Sequence, residues 1–411
     1  MKITRVTTAV VEGNFDWTLV RIDSDEGVYG IGESFFAPGL TSIIRALGRL
    51  LIGEDPRQVE PLTRKLRLAT APSASGGGAV LHAITGIETA LWDLAARDLS
   101  VPLYRLFGGA FRNRVRMYAD CHAGEALESI DEVLMSRRPS WSRGGVAEDA
   151  EAHWDPVERP GVRTPESYAR RAQQMADRGF KALKFDIDLP RAPGEDLHAR
   201  TIPPAQMDRQ VELIQAALEA VEGRAEVAFD CHWRYAPHDA LRLARRLEGL
   251  PVLWLEDPVP PENVAAMAVV AQGTTTPIAT GENTYLAQGF TQLIDQRAVD
   301  IVAPDLQKAG GLSEARRIAE LADRSYLPLA PHNISSPVGT LASAHICAAI
   351  PNFIALEWHA AGVPFFDAML AGGHPIINNG YVELSDAPGL GVELDLEVCR
   401  RYARPGEPFF E

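Results

Sequence analysis

Short apolar runs recur through the middle and end of the chain, and each stops at a polar side chain. The most regular are Glu226-Val-Ala-Phe-Asp230, Val252-Leu-Trp-Leu-Glu256 and Pro277-Ile-Ala-Thr-Gly-Glu282, whose terminal acids stand 26 residues apart in both steps. That interval fits one strand, one helix and two short loops. Further runs at Val115 to Asp120, Ala182 to Ile187, Ile301 to Leu306, Leu327 to Asn333 and Phe353 to His359 keep the rhythm, with Asp305, His332 and Glu357 at the last three tips. Helical periodicity fills Pro165 to Arg178, His238 to Leu247, Glu262 to Ala271, Gly311 to Asp323 and Val338 to Ala349. The alternation predicts one β/α unit repeated until it closes, a barrel over residues 115–375, rather than an open doubly wound sheet with exposed edges.

The flanks have a different rhythm. Over residues 1–114, alternating runs at Ile3 to Val11, Leu19 to Ile22 and Val28 to Ile31, with a turn at Asp25-Glu26-Gly27, predict an antiparallel meander. Helices follow at Ser42 to Leu51 and Val80 to Asp98, the latter with Ile84, Ile87, Ala90, Leu91 and Leu94 on one face. Ala71 to Gly78, rich in Gly and Ser, reads as a flexible loop or a plain linker. Residues 376–411 turn strand-like again and are expected to return to this first α+β module. The connection 124–164, with Trp141, Trp154, Arg137, Arg138 and Arg143, is too long for an ordinary barrel loop. It is expected to be a lid over the catalytic face, with a subunit contact as the alternative.

Chemistry enters with the three acids. The C-terminal tips of barrel strands converge on one mouth, so Asp230, Glu256 and Glu282 would share a focus. Carboxylates crowded there cannot be desolvated unpaired, and a hard divalent cation, Mg2+ first, is the expected partner. Forty Lys and Arg against 55 Asp and Glu give a net charge of −15, which argues against nucleic-acid or anionic-membrane partners. No apolar run approaches a membrane span, and Met1-Lys-Ile-Thr-Arg reads as the opening of a strand, so a cytoplasmic enzyme is expected. Cys121, Cys231, Cys347 and Cys399 have neither metal-site nor disulfide spacing and read as free thiols.

Taken together, the acids in their Phe-Asp, Leu-Glu-Asp-Pro and Thr-Gly-Glu-Asn settings, Pro304-Asp305 with Gly310-Gly311, Pro331-His332-Asn333 and the late Pro388-Gly-Leu-Gly391 resemble the enolase superfamily, and within it the mandelate racemase subgroup. The resemblance spans almost the whole chain apart from the insert. It implies a modified (β/α)7β barrel, an N-terminal α+β capping domain whose loops shape the pocket, Mg2+ held by Asp230, Glu256 and Glu282, and a symmetric homo-oligomer.

The same resemblance assigns roles. His332 would remove a proton beside the substrate carboxylate, with Asp305 fixing its tautomer, and Glu357 would bind that carboxylate opposite the metal. Racemases of the subgroup carry a second Lys where this chain has Asp186 in Lys184-Phe185-Asp186. His232, in Asp230-Cys-His232, resembles the residue that protonates a leaving β-hydroxyl in galactonate, gluconate and mannonate dehydratases. The expectation is an acid-sugar dehydratase making a 2-keto-3-deoxy acid. The alternatives are a racemase, epimerase or cycloisomerase using Asp186 or Lys184, or an inactive metal-binding barrel. Lys184 is expected to act electrostatically, and Asp186, Arg234, His359 and Trp17 to contact substrate, with Phe15 and Trp17 capping the pocket. The alternatives are a salt bridge to Lys184 for Asp186, a surface position for Arg234, ordinary packing for Phe15 and Trp17, and packing under the metal for His232.

Overall fold

The computed structural model describes residues 1–73, 76–121, 141, 163–189 and 199–411. The chain opens with the antiparallel strands β1 (Ile3–Glu12), β2 (Asp16–Ser24) and β3 (Tyr29–Ser34), with Gly27 supplying the positive φ of the predicted turn. Helices Leu40–Gly48, Val59–Ala69 and Gly78–Asp98 cover one face of this sheet, burying Val20, Ile22, Ile44, Leu66, Ile87 and Leu91 together. The long helix lies close on β3 because glycine permits it. A Cβ at Gly30 would fall 2.1 Å from the Ala90 carbonyl oxygen, and one at Gly32 2.4 Å from that of Gly86.

The barrel follows with parallel strands β4 (Arg114–Asp120), β5 (Ala182–Asp186), β6 (Glu226–Asp230), β7 (Val252–Glu256), β8 (Ile278–Thr280) and β9 (Ile301–Val302), and β10 (Leu356–Trp358) closes it by pairing with β4. The seventh stave, expected over Leu327 to Asn333, is reduced to bridges from Leu329 to Val302 and Phe353. Pro328 and Pro331 flank it and bring no N–H to a ladder; their carbonyls still accept from Val302 and Glu357. With that stave counted, the described residues form the (β/α)7β barrel that the motifs imply.

Among the described residues, four α-helices were not anticipated from periodicity: Val59–Ala69, Pro204–Val221, Leu286–Asp295 and Leu396–Arg401. The first buries only Val59, Leu62 and Leu66 among polar residues, a stripe too narrow to read with assurance in one sequence. The Ala71 to Gly78 stretch is in part a short 3-10 turn, Ala71–Ser73, and the helix already begins at Gly78. Of the insert expected as a lid, only Trp141, Arg163 and Thr164 fall within the described residues. Trp141 is buried, donates its indole N–H to the Glu12 carbonyl (2.6 Å) and meets Phe365 edge-on.

Inside the barrel, Tyr118, Ala182, Ala228, Trp254, Ala279, Ile301, Ala330 and Ala355 form one inward-facing cluster. Six of its positions carry small or aliphatic side chains, which leaves room for the two large rings directly beneath the site. Carboxylates from the first module meet the N-termini of two barrel helices. Glu33 accepts from the Ser336 (3.0 Å) and Gly339 (2.9 Å) amides, and Glu88 from those of Leu312 (2.8 Å) and Ser313 (3.0 Å). Each thereby satisfies amides that a helix start leaves free. Late in the chain, β11 (Ile377–Asn378) and β12 (Tyr381–Glu383) pair antiparallel, and β12 pairs antiparallel with the start of β4, Arg114 to Arg116. Ala403 and Phe409 then bridge back to β1.

Candidate active site

The strand tips converge. Asp230, Glu256 and Glu282 are buried at the ends of β6, β7 and just beyond β8, and each offers an oxygen within 4.8 Å of the others'. Two rings from the barrel interior fix neighbouring acids from below. Trp254 donates its indole N–H to Glu256 Oε2 (2.7 Å), and Tyr118 its hydroxyl to Glu357 Oε2 (3.1 Å). Lys184, 1% exposed, sits among the acids, its Nζ 3.1 Å from Asp230 Oδ2, 3.1 Å from Glu256 Oε1 and 2.9 Å from Glu357 Oε1.

One ammonium does not balance this charge. Burial, with Asp230 and Glu357 alongside, outweighs the pull of Lys184 and lifts Glu256 to about 8. Burial together with Glu282 and Asp230 lifts Asp257 to about 7. Carboxylates that hold protons at neutral pH for want of positive charge, and that present oxygen donors alone, fit a hard dication. Asp230, Glu256 and Glu282 are the residues that would hold it.

Two imidazoles flank the acids. His332 places Nδ1 2.7 Å from Asp305 Oδ2 and Nε2 3.2 Å from Glu282 Oε2. Asp305 is itself steadied by the Gln307 amide (2.8 Å). Burial disfavours the charged ring, but Glu282, Glu357 and Asp305 overcome it and hold His332 at about 9. On the other side, His232 lies 3.8 Å through Nε2 from both Asp186 Oδ1 and Asp230 Oδ2, while its Nδ1 is 3.3 Å from Asp188 Oδ1. There too burial is overridden, by Asp230, Asp186 and Asp188, and the ring is raised well above its ordinary value. Asp186, Asp188 and His232 form a second group with oxygen and nitrogen atoms within 4.8 Å.

The other predicted residues have distinct places. Arg234, 41% exposed at its side chain, points Nε at Asp188 Oδ2 (3.4 Å). His359 is buried against Phe15, with Nδ1 2.9 Å from Asn14 Nδ2 and Nε2 3.7 Å from Asp120 Oδ2. Trp17 stands edge-on to Phe365 and Phe366 and donates to the Ile334 carbonyl (3.3 Å).

Phe15 stacks on Phe36, which stacks on Phe35, and Phe35 lies 6.4 Å from the His332 ring. Lys308 Nζ sits 4.4 Å from the Phe35 centroid and bonds Asn283. Sequence reading missed Asp188, Asn14, Phe35, Phe36 and Lys308. Asp188 alone left a usable sign, because Asp186 and Asp188 stand two apart where a strand runs out, on one face.

Comparison with known proteins agrees with this layout. Residues 4–108 match the profile of the mandelate racemase / muconate lactonizing enzyme N-terminal domain, and residues 167–398 that of the enolase C-terminal domain-like family. A D-xylonate dehydratase of Haloferax volcanii is 41% identical over 410 residues, covering 100% of this chain and 91% of that protein. A D-galactonate dehydratase family member of Oceanicola granulosus is 30% identical, over 99% and 96%. Among solved structures, a mandelate racemase/muconate lactonizing enzyme-like protein of Rubrobacter xylanophilus superposes with a TM-score of 0.89 at 42% identity, covering 100% of this chain and 99% of that one. With strand tips, carboxylate focus and both domain profiles in agreement, the chain belongs to the mandelate racemase / muconate lactonizing enzyme family of the enolase superfamily.

Proposed function

We propose that the protein is a Mg2+-dependent acid-sugar dehydratase, with D-xylonate as the first substrate to test. One observation carries the reading: two imidazoles face the carboxylate focus from opposite sides, His332 through Nε2 at 3.2 Å from Glu282 and His232 through Nε2 at 3.8 Å from Asp230. Elimination of water needs such a pair, a base at one carbon and an acid at its neighbour. The choice of sugar rests on the relative named D-xylonate dehydratase, whose match runs the full length of this chain.

A bound Mg2+ would supply fixed positive charge against the negative charge that develops when a carbon beside a carboxylate ionises. With Mg2+ at Glu282 the charge that holds His332 at about 9 would be offset; His332 Nε2 then takes the α-proton, and the Asp305 carboxylate holds Nδ1–H so that Nε2 is the free base. The electron pair left at Cα forms the Cα=Cβ bond as the Cβ–O bond breaks. His232 Nε2–H protonates the departing hydroxyl, which leaves as water. The enol then tautomerises to the 2-keto-3-deoxy acid. Glu357, held by Tyr118 and by the Asn333 amide (3.1 Å), faces the substrate carboxylate. Lys184 balances charge among Asp230, Glu256 and Glu357, and that engagement argues against its serving as the second base of a racemase. Arg234, Asp186 and His359 are proposed as substrate contacts, and Trp17, edge-on to Phe365 and Phe366, as a packing residue behind them.

The test is incubation with D-xylonate and Mg2+ in deuterated water. A dehydratase yields a semicarbazide-reactive keto acid. Deuterium entering recovered substrate without keto acid would assign a racemase or epimerase, and neither signal, across a panel of acid sugars, a binding protein. The proposal includes a cytoplasmic location and a homo-oligomer, checked by cell fractionation and light scattering. Among the described residues, no helix is long and apolar enough to cross a membrane.

A further inference from the structure

The two imidazoles share a pattern. His332 has a carboxylate hydrogen-bonded at its far nitrogen, Asp305 at 2.7 Å, and His232 has one close to its own, Asp188 at 3.3 Å, where both the nitrogen and Asp188 Oδ1 are buried and make no other hydrogen bond, although the sequence around Asp188 resembles nothing around Asp305. We infer that Asp188 is the positioning carboxylate of His232: it accepts from Nδ1–H and so turns Nε2–H toward the β-hydroxyl. The inference rests on the dehydratase reading, in which His232 is the acid.

The surroundings of Asp188 suit that task. It is 1% exposed, two residues past the end of β5. Two guanidiniums approach it, Arg163 Nη1 at 3.7 Å from Oδ1 and Arg234 Nε at 3.4 Å from Oδ2, and Arg163 also donates to its carbonyl (3.1 Å). A buried carboxylate braced from two sides in this way is held in place to orient a neighbouring ring. Arg163, next to last in the 124–164 connection, is thereby held beside the acid through Asp188.

The loop below is equally fixed. His232 and Trp233 have φ of 43° and 58°, two successive residues in the left-handed region that non-glycine residues seldom adopt. The strain is held in place. The His232 amide bonds Asp230 Oδ1 (2.9 Å), and Trp233 bonds Asp257 twice, amide to carbonyl at 2.7 Å and indole to Oδ2 at 2.9 Å. Backbone bonds set where the ring is, and Asp188 is the group placed to decide which nitrogen faces the pocket. A carboxylate that merely paired with the arginines would have no effect on that choice.

The experiment uses the Mg2+-loaded enzyme with D-xylonate in deuterated water. Asp188→Asn is expected to lower keto-acid formation about 100-fold while α-proton exchange, which needs only His332, continues near the wild-type rate. Equal loss of both would mark a structural role and overturn the inference, as would unchanged elimination. Nitrogen-15 spectra of the imidazoles, with the His232 signals identified by their absence in His232→Asn, give a second readout that needs neither turnover nor a folded Asp188 variant. A hydrogen-bonded Nδ1–H in wild-type His232, seen as a downfield-shifted proton, supports the assignment, and an Nδ1 that is bare or carries a free N–H refutes it. If the wild type makes no keto acid from any acid sugar, the functional reading fails by itself, and the spectra still decide Asp188.

Discussion

Glu33 offers a test of the join between the two modules. Its carboxylate is buried, and it accepts from Ser336 and Gly339 at the start of the helix Pro337–Ala349, some 300 residues away in sequence. Burial disfavours its charge more than those donors favour it, so its pKa rises from 4.5 to about 7. A rise of that size corresponds to about 3 kcal/mol of folding free energy. The folded state binds the proton more tightly than the unfolded chain between those two values. The stabilisation is therefore complete below pH 4.5, fades as pH rises through 7, and is gone above it.

Glu33→Gln keeps the shape and removes the titration. Urea unfolding followed by tryptophan fluorescence at pH 5 and pH 8 should show the wild type losing about 3 kcal/mol more than the variant across that span. Parallel curves would show that burial does not raise Glu33. A variant that lost more than the wild type would mean that the helix N-terminus dominates and that the pKa is lowered.

Other outcomes follow from the site. Mg2+ at a hundredfold excess over its dissociation constant should add about 3 kcal/mol to wild-type stability; Glu256→Gln should lose most of that gain in a thermal melt, and an undiminished response would take Glu256 out of the metal site. His332→Asn should reduce keto-acid formation about 10²- to 10⁴-fold and abolish α-proton exchange with it, and full turnover would end its assignment as base. His232→Asn should stop elimination but leave exchange, whereas unchanged elimination would remove its acid role. Trp17→Ala, which empties space between Phe365 and Phe366, should destabilise the fold by about 3 to 5 kcal/mol; a raised KM with unchanged stability would show that the indole serves the substrate instead of the packing.

Much of the barrel is legible in the chain because a strand tip is a local feature. An apolar run that gives way to an acid or a histidine says where the stave ends, and a spacing of 23 to 27 residues says how far off the next one is. Asp230, Glu256, Glu282, Asp305, His332 and Glu357 are all found this way. The seventh stave is found too, although prolines keep it from forming a ladder, because its apolar run survives the loss of hydrogen bonds. The helix Val59–Ala69 is missed for the converse reason: its three apolar positions only become a face once a sheet lies against them.

By itself, the sequence determines which residues stand at the strand tips, since period and run length are set by neighbours in the chain. Which of them pair is settled only when the barrel closes. Lys184 meets Glu256 and Glu357, which come from staves far along the chain, Asp188 meets both His232 and Arg163, and Glu33 and Glu88 reach helix starts in the other module. Burial makes each of these charges costly unless it finds its partner, and burial is a property of the folded whole.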